Sequence, residues 1–247
     1  MPSPGLPFLL LAAGLSCSAL ALAQRLDGAE RIVFEATNDF RREQGLESVK
    51  SNPALAKAAQ EFADYMARTD RYAHNADGRQ PADRARSKGY DYCLVSENIA
   101  FQFSSAGFRT AELASGFVNG WKKSPGHRKN MLEPAATDAA VAMAHSDKSG
   151  RYYAVQMFGR PKSERIEFRI SNGTQQNVKY QLGDKAHSLR PREARTHWLC
   201  GPDDLTLGEI KMRPGQGERL IVTSDQARTN RIRVISEGIP NRIGGPQ

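Results

Sequence analysis

The sequence predicts an α+β protein, a helix-rich stretch closing on a small antiparallel sheet, followed by a small all-β domain of sandwich type. Three observations carry this. Apolar residues recur at three- and four-residue spacing through most of residues 24–124. Two apolar runs of strand length, separated by a turn, follow them. Beyond residue 165 come short β-type runs punctuated by Asn-Gly, Gly-Asp, Gly-Pro and Pro-Gly. Helices first and strands last is the order in which helices cover one antiparallel sheet.

The chain opens with "MPSPGLPFLLLAAGLSCSALALAQ", an uncharged apolar run leaving through Ala21-Leu22-Ala23. A small-x-small exit from such a run reads as a signal peptide, residues 1–23, with cleavage before Gln24. In "AERIVFEATNDFRREQGLESV", Ile32, Val33, Ala36 and Phe40 form one stripe and Gly45 supplies a helix stop. Asn52 is a candidate N-cap with Pro53 at the first helical position, and Leu55, Ala58, Ala59, Phe62 and Met66 line one face of the helix that follows. A shorter helix in "QPADRARSKGY" stops at Lys88-Gly89. A fourth, "FRTAELASGFVNGWKK", ends before Ser124-Pro125, because a residue preceding proline is pushed out of the helical region. Ser124 would then cap a helix starting at Pro125.

"DAAVAMAHSD" and "RYYAVQMFGR", joined through Asp-Lys-Ser-Gly, predict a hairpin. The polar "RPKSER" reads as a linker, which places a first domain at 24–160 and a β-rich one at 161–240. Six runs make up the latter: "IEFRISN", "VKYQLG", "THWLCG", "DLTLGEI", "RLIVTS" and "RIRVIS". Residues 241–247 read as a disordered tail.

The net charge of +8 is scattered, without a long Lys/Arg block or interleaved aromatics. That pattern argues against nucleic acid as a partner and suits anionic envelope polymers or lipid headgroups. Cleavage of the leader would remove Cys17 and leave Cys93 and Cys200. An even pair in an exported chain suggests a disulfide, two buried thiols being the alternative; "DYCLVSEN" has no signature of a catalytic thiol.

Five histidines are available: His74, His127, His145, His187 and His197, with no His-Glu-x-x-His among them. His74 sits in a glycine-bearing loop and His127 follows the Ser-Pro-Gly turn, settings from which both can point into a cleft. If the fold brings Glu97 of "SENIAF" beside them, two imidazoles and a carboxylate make an open site suited to zinc. Ser124 and His127 lack the Gly-x-Ser-x-Gly elbow of a nucleophile and base. "KGYDY" with Phe101, Phe103 and Phe108 would line an apolar pocket, or pack as ordinary core.

Five segments read together resemble the CAP superfamily, also called the SCP domain, of cysteine-rich secretory, antigen 5 and pathogenesis-related 1 proteins. They are "ATNDFRREQGLESVKSNPALAKAAQEFADYMA", "YAHNADGRQPADRARSKGY", "SENIAF", "GWKKSPGHRKNML" and "YYAVQMFG", in the family's order from about Ala29 to Gly159. The version is similar to the short bacterial form. The resemblance implies an α-β-α sandwich with a central cleft, in which His74 and His127 are the family's two histidines and Glu97 its first acidic residue. Where many members carry a second acid three residues after the tryptophan, this chain has Ser124, and Glu112 lies about three helical turns earlier.

The expectation is therefore an exported, periplasmic or extracellular, non-enzymatic or weakly enzymatic binding protein. Its cleft would hold a divalent metal, with zinc the candidate, or a small or lipid-like ligand at His74, Glu97 and His127. A metal-dependent hydrolase using Glu97 and a metal-bound water is the rival. In a third reading the β-domain is the recognition module, meeting an envelope polymer or a protein. Independently of these readings, Cys93 is expected to pair with Cys200 and tether the two domains.

Overall fold

The computed structural model of the chain describes residues 9–224 and 232–237. They fall into two compact units, with the boundary between Pro161 and Lys162.

The first unit runs α1 (Leu9–Glu43), β1 (Lys50–Ser51), α2 (Pro53–Thr69), α3 (Pro81–Ser87), β2 (Tyr92–Phe103), α4 (Thr110–Lys123), α5 (Pro125–Met131), β3 (Asp138–His145) and β4 (Arg151–Pro161). Its sheet has the order β1-β3-β4-β2, so β2 is an edge strand. One face packs on α2, where Leu55, Phe62 and Met66 meet Ile99, Tyr153, Val155 and Met157. The other packs on α1 and α4, where Val33, Phe40, Leu113, Phe117 and Trp121 meet Met143, Ala154 and Phe158. Alternation along the strands supplies both faces, and the result is a helix–sheet–helix sandwich. Asn52 caps α2 by accepting from Ala54 N and Leu55 N at 3.0 and 3.3 Å.

The expected hairpin is β3–β4, with Asp138 opposite Gly159 and His145 opposite Tyr152. Three points correct the sequence reading. Residues 92–103 form a twelve-residue strand, β2, in a stretch to which the sequence reading assigned no element. The helix ahead of Gly45 begins at Leu9 and passes through Ala23 without a break. Ser124 is the N-cap residue of α5, but its side chain makes no capping bond. No helix among the described residues is long and apolar enough to cross a membrane.

The second unit begins with a 3-10 turn at Lys162–Glu164. It continues through β5 (Ile166–Asn172), β6 (Val178–Leu182), β7 (Lys185–Leu189), β8 (Ala194–Leu199), β9 (Leu205–Leu207), β10 (Ile210–Met212), β11 (Arg219–Ser224) and β12 (Ile232–Glu237). Two sheets, β10-β9-β6-β7 and β12-β11-β5-β8, share one core of Phe168, Ile170, Val178, Leu182, Leu205 and Leu220. This is a sandwich of more strands than the six runs suggested, because "DLTLGEI" turns back on itself within a few residues and "KAHSL" is too polar to announce a strand. Cys93 and Cys200 are disulfide-bonded. The expected disordered tail, residues 241–247, lies outside the described residues.

Candidate functional site

An edge strand exposes a row of backbone groups that must find partners, and the covering of β2 builds the site. The loop after α2 covers it from one side: Tyr72 Oη donates to Ile99 O at 3.1 Å. Helices α4 and α5 cover it from the other. Trp121 Nε1 donates to the same carbonyl at 3.4 Å, and Asn130 Nδ2 donates to Glu97 O at 3.1 Å. A cleft is left along the strand edge between the two helical layers. Its apolar end is a cavity of about 310 Å³ lined by Tyr72, Phe101, Gln102, Trp121, Ser124 and His127.

Alternation along β2 sends Glu97 to the α2–α3 side with Val95 and Ile99 and sends Asn98 to the opposite side. Glu97 is buried, and both of its carboxylate oxygens are engaged. Oε1 accepts from His74 Nδ1 at 2.8 Å, and Oε2 accepts from Arg84 Nη2 at 2.7 Å. Arg84 comes from α3, is 1 % exposed, and lies over the Phe62 ring at 3.6 Å. Its guanidinium also donates to Asp77 Oδ1 at 2.9 Å, to Arg79 O at 2.9 Å and to His74 O at 3.0 Å. The planar fork thus fixes the loop carrying His74 and the carboxylate that orients the ring.

On the far side, Asn98 Nδ2 donates to His127 O at 3.1 Å and to Gln156 Oε1 at 3.0 Å, while Asn130 Nδ2 donates to Asn98 Oδ1 at 2.9 Å. Gln156 in turn donates to Thr37 Oγ1 at 2.8 Å. A satisfied buried chain of this kind fixes α5 against the sheet, and with it the position of His127. Burial first, and then the neighbouring His74, lower the His127 pKa, so its imidazole is neutral at physiological pH.

His74 and Glu97 are therefore in direct contact, with His127 near enough to feel His74. Ser124, where a second acid was missed in the sequence, lines the cavity, whereas Glu112 sits at the exposed start of α4 and accepts from Arg109 N at 3.4 Å. His145 bonds Asp147 on the surface, and His187 and His197 belong to the second unit. Of the aromatics, Phe101 is 40 % exposed and Phe103 61 %, so neither is ordinary core; Phe108 packs edge-on against Tyr152. Sequence reasoning missed Arg84, Asn98 and Asn130, although all three lie inside segments it had singled out.

Each carboxylate oxygen of Glu97 already accepts a hydrogen bond, one from His74 and one from the Arg84 cation, and a divalent ion brought to it would sit against that guanidinium. Among the described residues no group of three or more His, Cys, Asp or Glu side chains is arranged to hold a metal ion. The three-residue set does not fit a resident zinc in this geometry, because two imidazoles fall short of the three protein ligands of an open site.

A model of the cysteine-rich secretory protein family, CAP, matches residues 34–158. The uncharacterized protein YkwD of Bacillus subtilis (strain 168) is 32 % identical over 132 residues, 53 % of this chain and 47 % of that protein. The chain thus spans about half the length of this curated relative. Among solved structures, an outer surface protein of Borrelia burgdorferi is 19 % identical with a TM-score of 0.48, over 54 % of this chain and 93 % of its own. An extracellular SCP-domain protein from Bacillus anthracis is 24 % identical with a TM-score of 0.47, over 54 % of this chain and 41 % of its own.

Proposed function

The chain belongs to the cysteine-rich secretory protein (CAP) family, and from that premise we propose an exported binding protein whose cleft takes a small, largely apolar ligand with one polar end. The leader-like first residues and the disulfide support export, since disulfides persist in oxidising compartments. The observation carrying the ligand reading is a small aromatic-walled cavity that has the His127 imidazole on its lining, on a helix fixed through its backbone by Asn98. Tyr72, Phe101 and Trp121 supply apolar wall, and His127 and Ser124 supply polar contacts at the same cavity. A concave apolar site with a few fixed polar groups is how small ligands are held.

Glu97, tied to Arg84, works here as a positioning group for His74 and not as a general base. No hydrolytic step is assigned to it.

Trp121 reports on the cavity directly. In a Trp198→Phe background it is the remaining tryptophan. Octanoate, an apolar chain with an acceptor head, should then change its fluorescence saturably, and His127→Ala should weaken that binding about tenfold, near 1.4 kcal/mol. A signal that never saturates, or one unchanged in His127→Ala, would refute the assignment.

A further inference from the structure

The inward faces of a β-sandwich are ordinarily apolar, and one edge of the second unit breaks that rule. Strand β7 ends one sheet and β8 ends the other. Pairing puts His187 beside Tyr180, Arg195 beside Ile170 and His197 beside Phe168, so Tyr180, His187, Arg195 and His197 share the inward faces with core residues. Tyr180 Oη and His197 Nε2 share a hydrogen bond of 2.7 Å, and Arg195 Nη1 donates to His187 Nδ1 at 3.4 Å. The His187 and His197 rings meet edge to face at 4.9 Å. Burial, with help from Arg195, lowers the pKa of both imidazoles, that of His197 to about 4. With Nδ1 engaged, neutral His187 keeps Nε2–H as a donor.

This cluster borders open space. A cavity of about 780 Å³ is lined by Lys179, Gln181, His187, Ser188, Arg195 and Thr206. A second, of about 590 Å³, is lined by Asn177, Arg190, Arg192 and Glu193 and shares Ser188 and Arg195 with the first. Glu193 is the carboxylate among these residues, and it is taken up by Arg195 at 3.3 Å and by Arg190 N at 2.8 Å. The linings set cations among hydroxyl and amide groups, and the larger recess adds the Tyr180 ring and Ala186 as apolar wall.

The turn joining β7 to β8 adds an independent sign. In Arg190-Pro191-Arg192-Glu193, the Glu193 amide closes on Arg190 O at 3.0 Å, and Arg192 has φ of 62°. A turn with proline first and a positive φ second asks for glycine at that second place. An arginine there costs conformational energy that the fold does not need.

We propose that this edge binds an acidic glycan, a chain of sugars carrying carboxylate or phosphate groups. Cations would meet the acid groups, and the Gln, Ser, Thr and Asn side chains between them would meet sugar hydroxyls. Two adjoining cavities sharing Arg195 suit a ligand whose acidic unit repeats.

Titrating the full chain by calorimetry with a hexameric uronic-acid oligosaccharide tests this, beside an uncharged hexasaccharide and a short poly-glutamate of matched charge. Saturable binding of the uronate, with the other two at least tenfold weaker, is expected. Arg195→Ala should weaken uronate binding about tenfold. Arg192→Gly should weaken it several-fold while leaving the thermal midpoint unchanged or higher, which a merely structural arginine would not do. A sugar phosphate oligomer that competes assigns the same site to phosphate-bearing chains. Absence of uronate binding, equal binding of poly-glutamate or the uncharged sugar, or no loss in both variants would overturn the proposal.

Discussion

Arg84 shows how one side chain can set a site that it does not line. It bridges Glu97 at 2.7 Å and Asp77 at 2.9 Å, and both members of the Arg84–Glu97 pair are 1 % exposed at the side chain. Removing one partner of a buried pair strands the other charge. Arg84→Met is therefore expected to lower unfolding free energy in urea by about 3–5 kcal/mol, and adding Glu97→Gln should restore part of that loss. A loss below about 1 kcal/mol would mean the pair contributes no more than a surface bridge. At this scale the site was partly legible: His74, His127 and Glu97 were marked by loop setting and by family resemblance. Arg84 was not, because an arginine in a short polar helix reads as a solvated face until the fold buries it against Phe62.

At the level of elements, β2 was hidden for a physical reason. It is an edge strand with one end exposed, and "SEN" in its middle carries polar side chains, so the alternation that announces a strand is interrupted at the candidate site. The helices were legible because α2 and α4 bury complete apolar stripes. A second effect belongs to the contact of α1 with β3. Glu30 accepts from Met143 N at 2.7 Å, and burial, together with nearby Asp27 and Asp64, raises its pKa to about 7. The unfolded chain releases this proton near 4.5. Stability from Glu30 is therefore full below pH 4.5 and is lost as pH rises to about 7. Glu30→Gln should flatten that decline and leave the protein about 1–2 kcal/mol more stable than wild type at pH 8, after allowance for partial solvent exposure. Thermal melts from pH 4 to 8 with parallel slopes for both proteins would contradict this.

Across the molecule as a whole, two units carry two different kinds of recess. The first places a small aromatic cavity beside His127 at a sheet edge, and the second places a recess that mixes cations, hydroxyl and amide groups with apolar wall at a sandwich edge. The all-β character of the second unit could be read from its short turn-bounded runs, and the polar segment "RPKSER", within which the two units divide, from its lack of periodic apolar residues. The cationic edge could not, because inward-facing His187 and Arg195 become visible only once strand pairing fixes which residues face the core. The reading of the first recess as a ligand cleft, and not a resident metal centre, stands on the commitment of Glu97 to Arg84 and His74. Zinc titration by calorimetry at neutral pH, on wild type and on a folded His74→Ala, His127→Ala variant, puts that commitment to the test. The two proteins should give the same weak, non-stoichiometric heats. Binding of one equivalent by wild type that vanishes in the variant would overturn the cleft reading and return the site to metal chemistry.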